Sequence, residues 1–306
     1  MVGIFNVNKP VGMSSHDVVR RVRKLTGVRK VGHTGTLDPL ASGVLVVLVG
    51  RRATRLARFL FGSDKTYRAV VRLGESTPTY DAESEVTQRC PVNVEHADVE
   101  AALADFRGEI KQIPPMYSAL KKDGKPLYEL ARQGKTVERQ ARQITIFSLD
   151  LSVWDPPEMT LEVACSAGTY IRSLAHDLGE ALGCGAHLRS LVRTSSGPFN
   201  LESSVTLEGL AALAERDALE QAMLPPKAAF ADKPSVHLTA AQVAYVRHGR
   251  TITLDEPPDV EYLPAHDPQG QLVGVLVPRT PDRWRPTLVL IESAPKPTSD
   301  HKGEQS

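Results

Sequence analysis

The longest purely apolar run in the chain is Val44-Leu45-Val46-Val47-Leu48-Val49. It is far shorter than the ~20 residues a membrane-spanning helix needs. Its β-branched character reads as a buried strand, so the fold must cover a sheet at this point. The residues just before it are Gly32-His33-Thr34-Gly35-Thr36-Leu37-Asp38-Pro39-Leu40-Ala41-Ser42-Gly43. Glycine permits tight turns and close ligand approach, and Pro39 fixes the backbone after the acid. A single carboxylate, Asp38, held in such a loop before a buried strand is placed like a reactive group. The plainer alternative is a glycine-rich turn with Asp38 as a helix cap.

At 306 residues the chain has room for about two domains. Ser14 or Ser15 can cap a helix with Val18, Val22 and Leu25 on one face and Gly27 at its end. Residues 51–61 read as a short basic helix, 67–73 as a half-buried strand, 94–106 as a helix, and 144–151 and 161–165 as strands. Thr169 is placed to cap a helix whose core stripe is Ile171, Leu174, Ala175, Leu178 and Leu182, with Gly183 at the stop. Residues 207–224 read as another helix, and Pro225-Pro226 as a break. From about residue 230 short apolar runs at 251–254, 272–277 and 287–291 alternate with turns, which predicts a small all-β module. The polar residues 296–306 read as a disordered tail.

Three cysteines, Cys90, Cys165 and Cys184, lack metal spacing and point to reduced thiols in a cytoplasmic protein. The start lacks a secretory apolar segment. No Cys-x-x-Cys, His-Glu-x-x-His or P-loop pattern occurs, so no metal and no nucleotide hydrolysis is expected. The net charge is only +1, but its distribution is uneven. Arg20, Arg21, Arg23, Lys24, Arg29 and Lys30 form one cluster; Arg51, Arg52, Arg55, Arg58, Lys65, Arg68 and Arg72 form a second, interrupted only by Asp64. Both flank the Asp38 loop and could track phosphates; solvated helix faces are the ordinary alternative. Acids gather elsewhere, at Asp81, Glu83, Glu85, Glu95, Asp98, Glu100 and Asp105.

The Asp38 block resembles the signature of the TruB family of tRNA pseudouridine synthases. Three further blocks follow that family's order: Asn8-Lys9-Pro10-Val11-Gly12-Met13-Ser14-Ser15; Ile113-Pro114-Pro115-Met116-Tyr117-Ser118-Ala119-Leu120-Lys121 with Leu127-Tyr128-Glu129-Leu130-Ala131-Arg132; and Cys165-Ser166-Ala167-Gly168-Thr169-Tyr170-Ile171-Arg172-Ser173-Leu174-Ala175. The resemblance spans roughly residues 5–200. It departs at Pro78, where the family pattern leads one to expect an aspartate, and the C-terminal module is similar to the RNA-binding PUA type only loosely.

The resemblance implies an α+β fold, a mixed but mainly antiparallel sheet with flanking helices, as a catalytic domain over 1–229, followed by a β-rich PUA-like RNA-contact module over 230–295. It implies conversion of uridine to pseudouridine in the T-loop of tRNA, at uridine 55, by a monomer that uses no cofactor and no guide RNA. Asp38 would do the covalent or electrostatic work: adding to C6 of the base, attacking C1′, or assisting loss of the C2′ proton. Arg172 would hold that carboxylate by paired hydrogen bonds. Tyr170 would stack on the uracil and act as a late base. His33 would fill the space left by the extruded base. Tyr67 and Leu191 would line the pocket, and Lys9 with Pro10 would support the loop. Two rivals stand beside this reading: a relative working in a guide-RNA complex, and a non-catalytic RNA-binding or RNA-folding protein.

Overall fold

The structure, a computed structural model, describes residues 1–118, 120–122 and 124–291; the tail expected over 296–306 and the end of the expected C-terminal module lie outside them. The chain divides into two compact units, Met1–Pro225 and Pro226 onward.

The first unit is built on a ten-stranded mixed sheet. Its main path runs Val205–Thr206, Gly3–Lys9, Ala41–Val49, Ala186–Ser196, Lys65–Leu73, Glu158–Cys165, Arg142–Asp155 and Gly108–Gln112. Most neighbours are antiparallel; Gly3–Lys9 with Val205–Thr206, and Ala41–Val49 with Ala186–Ser196, are parallel. The apolar run is the strand Ala41–Val49, and Val44 to Val49 are all buried. The strand pairs with Gly3–Lys9 along one side; along the other, Ala41 to Gly43 meet Ala186–Ser196 and Val47 to Val49 meet the short strand Val31–His33, so the run lies inside the sheet and each of its six side chains is apolar.

The helix Ser15–Thr26 follows its sequence signals. Ser14 caps it in a capping box with Asp17, Gly27 ends it at φ 66°, and Val18, Val19 and Val22 are buried. Other elements differ from expectation. Residues 51–61 form two four-residue helices, Arg51–Thr54 and Ala57–Leu60, because Arg55 and Leu56 bond back three residues and tighten the joint. Residues 94–106 carry the shorter helix His96–Ala104, capped by Glu95. The expected helix over 207–224 stops after Leu207–Ala214, where Asp217 turns left-handed at φ 50°, and resumes as the 3-10 turn Leu219–Ala222. The helix Ile171–Ala181 is capped by Tyr170 rather than Thr169, whose hydroxyl donates instead to the Ser166 carbonyl at 2.9 Å.

The second unit holds a five-stranded sheet ordered Val236–His237, Leu263–His266, Leu272–Pro278, Arg283–Val289, Ile252–Thr253. It is not all-β: Thr239 caps the helix Ala240–Arg247, whose Val246 packs with Leu263, Val273, Leu276 and Trp284. Its last strand begins at Arg283, four residues before the expected apolar run, since alternating residues suffice to pair with Leu272–Pro278. Among the described residues no helix is long and apolar enough to cross a membrane.

Candidate active site

Four residues from four strands form one row across the first sheet. Lys9 pairs with Gly43, Gly43 with Arg193, and Arg193 with Tyr67. Two residues along, on the same face, Ala41 lies beside Leu191 and Leu191 beside Ala69. The sheet therefore brings Lys9, Tyr67 and Leu191 together at the end of the strand that the Asp38 loop feeds. Tyr67 and Leu191 are buried, at 7% and 8% exposure, which leaves a narrow apolar border rather than an open surface.

The loop itself is tied down from beneath. Lys9 is fully buried, and its Nζ donates to the carbonyls of Pro10 (2.8 Å), Met13 (2.6 Å) and Pro39 (3.5 Å). Burial lowers its pKa to about 8, with Asp38 and Glu83 acting in the opposite direction. The Ser15 hydroxyl donates to the Leu37 carbonyl at 3.0 Å and accepts from the Leu37 N–H at 2.8 Å. Gly12 N–H reaches the Pro39 carbonyl at 2.8 Å. The backbone on both sides of Asp38 is thus fixed, while the Asp38 side chain stays 40% exposed at the opening.

Arg172 meets Asp38 through a single contact, Nε to Oδ2 at 3.0 Å, rather than the expected pair. Its other nitrogens are engaged elsewhere: Nη1 donates to the Thr79 carbonyl at 3.0 Å and faces Asp81 Oδ2 at 3.5 Å, and Nη2 donates to the Tyr117 carbonyl at 2.8 Å. The guanidinium is 6% exposed and Asp81 2%. A buried cation between two carboxylates and two carbonyls is fixed in orientation, and the Asp38 side chain it meets stays partly exposed.

Tyr170 precedes Arg172 at the helix cap, held by a buried amide. Gln112 Oε1 accepts from the Tyr170 N–H at 2.8 Å, and Gln112 Nε2 donates to the Tyr170 carbonyl at 3.0 Å. Burial raises the phenols of both Tyr170 and Tyr67; Arg193, facing the Tyr67 hydroxyl, works against that rise. His33 ends the short strand Val31–His33, with the His16 ring edge-on at 5.7 Å. Burial and the neighbouring His16 and Arg193 lower its pKa to about 4, so it is neutral at pH 7.

Asp81, Gln112 and Arg193 are site residues that sequence reasoning missed. Asp81 sits among apparent surface acids; the one local signal is the pair Thr77 and Thr79, whose hydroxyls donate to its carbonyl and carboxylate at 2.8 and 2.5 Å. Arg193 is 1% exposed, with Nε on the Val44 carbonyl at 2.7 Å and Nη2 on the Gly35 carbonyl at 3.1 Å. The basic clusters also divide. Arg20 pairs with Asp17, while Arg21 and Lys24 are exposed on the same helix. In the second cluster Lys65 is buried, donating to the Phe61 carbonyl at 3.2 Å, and Arg68 and Arg72 pair with Glu162 and Glu158.

Among the described residues no three His, Cys, Asp or Glu side chains gather as a metal site. The arrangement offers one accessible carboxylate on a rigid loop, a fixed guanidinium, two aromatic hydroxyls and an apolar wall.

Two family models match the chain: the TruB family pseudouridylate synthase N-terminal domain over residues 23–171, and the tRNA pseudouridylate synthase B C-terminal domain over 172–231. The chain is 46% identical over 276 residues to tRNA pseudouridine synthase B of Pseudomonas aeruginosa (strain UCBPP-PA14), covering 89% of this chain and 90% of that one. It is 51% identical over 254 residues to tRNA pseudouridine synthase B of Burkholderia pseudomallei (strain 668), covering 83% of each. Among solved structures, an H/ACA RNP bound to a substrate RNA containing 2′-deoxyuridine includes a chain that matches with a TM-score of 0.74 at 26% identity, over 95% of this chain and 86% of that one. A Cbf5-Nop10-Gar1 complex matches with a TM-score of 0.72 at 29% identity, over 90% of this chain and 78% of that one. With family models covering all of its sheet but the strand Gly3–Lys9, together with its Asp38 loop and the Arg172 helix, the chain belongs to the TruB family of pseudouridylate synthases.

Proposed function

We propose that this protein isomerises uridine to pseudouridine in tRNA, at T-loop uridine 55. The observation that carries the reading is the Asp38–Arg172 pair: an accessible carboxylate on a tethered loop, held by a buried guanidinium beside Tyr67, Tyr170 and Leu191. The reaction breaks the N1–C1′ bond, turns the base and joins C5 to C1′; the C5 proton leaves and N1 takes one up, so the product is an isomer of the substrate. It needs a carboxylate kept ionised beside the base. Arg172 supports the anion at Asp38, whether that oxygen adds to C6, attacks C1′ or assists loss of the C2′ proton. Tyr67 and Leu191 border the uracil, Tyr170 stacks on it and serves as the late base, and neutral His33 occupies the vacated stack. Lys9 supports the loop from below.

The tRNA substrate is favoured by the relatives at 46% and 51% identity, both named tRNA pseudouridine synthase B. We take the protein to act as a monomer in the cytoplasm without a guide RNA, the second unit making PUA-like contacts to RNA. The deciding experiment is tritium release from a tRNA transcript labelled at C5 of uridine. Release by the purified protein alone, lost in Asp38→Asn and lost when the T-loop uridine is replaced, supports the assignment. Release only after a guide RNA is added, or tight tRNA binding without release, overturns it in favour of a guided enzyme or an RNA-folding protein respectively.

A further inference from the structure

Tyr80 lies between two of the residues that engage the Arg172 nitrogens not facing Asp38: the Thr79 carbonyl and the Asp81 carboxylate meet Nη1, as the Tyr117 carbonyl meets Nη2. Its backbone is left-handed, φ 63°, a conformation that bulky side chains seldom adopt. Its N–H donates to the Thr77 carbonyl at 3.2 Å and its carbonyl accepts from the Leu188 N–H at 3.0 Å. Its ring lies flat on the His176 imidazole, centroids 3.9 Å apart and planes within 6°. His176 is one turn beyond Arg172 on the helix Ile171–Ala181, so both side chains leave the same helix face. That helix therefore grips the loop around residues 77–84 at two points, once through the guanidinium and once through the imidazole.

We propose that the Tyr80–His176 stack is a positioning device for Arg172. It holds Tyr80 in its left-handed state. Release of that state would rotate the peptide units on either side, turning the Thr79 carbonyl and the Asp81 carboxylate off the guanidinium together. What His176 supplies is the flat face of its ring: its Nδ1 is buried and has no hydrogen-bond partner among the described residues. Tyr80 and His176 are thus positioning residues, acting on the reaction through Arg172. The inference rests on the reading of Asp38 as the reacting carboxylate.

The test is tritium release at saturating and limiting tRNA, with folding followed by circular dichroism. His176→Ala should lower kcat about tenfold with KM for tRNA unchanged, and His176→Phe, which restores a flat ring, should recover most of it. Combined with Asp81→Asn, His176→Ala should add little to the loss from Asp81→Asn alone, because both act on one guanidinium. Undiminished kcat in His176→Ala, a loss confined to KM, or losses that multiply in the double variant would each overturn the proposal. If His176→Ala does not fold, Tyr80→Leu takes its place. Leucine is strained at φ 63° and lacks the flat ring, so its left-handed state loses the stack, and its comparison with Asp81→Asn supports or overturns the proposal on the same terms. No release from the unaltered protein would instead sink the reading of the reaction itself, a result distinct from a variant that keeps full kcat.

Discussion

A Cβ built on Gly43 would stand 2.3 Å from the carbonyl oxygen of Arg193. Gly43 also sits at φ +99°, so a side chain there is strained as well as crowded. The obstruction is backbone, and neither strand can yield without shifting the row that carries Lys9, Arg193 and Tyr67. Gly43→Ala should cost about 2 kcal/mol or more and lower the melting temperature by roughly 5 °C, with activity falling further than stability explains. A thermal melt beside a tritium-release assay checks both.

Arg172→Lys keeps the charge and loses the fork. One ammonium cannot meet Asp38, Asp81 and the carbonyls of Thr79 and Tyr117 together. Asp81, with 2% exposure, is then left short of its counter-charge. Breaking a buried pair typically costs about 3–5 kcal/mol, and the retained charge should keep this variant toward the lower end. Turnover should fall on the order of 100-fold, the scale of a lost preorganised charge partner. Chemical denaturation and single-turnover kinetics would measure the two, and a variant with near-native turnover would show that charge alone suffices.

Acid should weaken the fold through His33. The unfolded chain takes up a proton at this position near the ordinary pKa of 6.5, whereas the folded chain resists until about 4. Between those values the unfolded state binds more protons, so stability falls as pH drops from about 6.5 toward about 4 and is flat above about 7. His33→Gln lacks this dependence. Urea unfolding of both proteins between about pH 7 and about pH 4.5 should show the unaltered protein losing ground; parallel curves would mean an ordinary histidine.

Salt dependence should separate the two basic clusters. Replacing exposed Arg21 and Lys24 with Gln should weaken tRNA binding and make its salt slope shallower by about 1 for each phosphate no longer neutralised. Replacing Arg68 and Arg72, which pair with Glu162 and Glu158, should leave the slope in place. Equal effects from both pairs would mean that RNA reaches the second cluster too.

The helix Ser15–Thr26 was legible because its signals are local: a capping serine, a valine stripe and a closing glycine. The strand Ala41–Val49 was legible because burial on both faces leaves nothing polar in its run from Val44 to Val49. The strand Ala186–Ser196 was not. Bulges at Leu188/Ser190 and Arg193/Ser195 break its two-residue period, and a buried arginine stands where an apolar residue would mark the core. Asp38, Arg172 and Tyr170 were found through their blocks. Asp81 and Gln112 act through contacts with residues 91 and 58 positions away, and no nearby pattern announces such partners.

The strand Ala186–Ser196 joins the two halves of the large sheet: Gly3–Lys9 and Ala41–Val49 lie to one side, and Lys65–Leu73, Glu158–Cys165 and Arg142–Asp155 to the other. It is also among the last of these strands to leave the ribosome. Until it emerges, the growing chain holds two β layers with unpaired edges facing each other, an arrangement open to mispairing. Closure is therefore a late event in synthesis, and one insertion both shields those edges and sets Arg193 and Leu191 beside the strand that the Asp38 loop feeds. A nascent chain arrested before residue 186 should accordingly be sticky and inert, and one long enough for residue 196 to clear the ribosome should become protected.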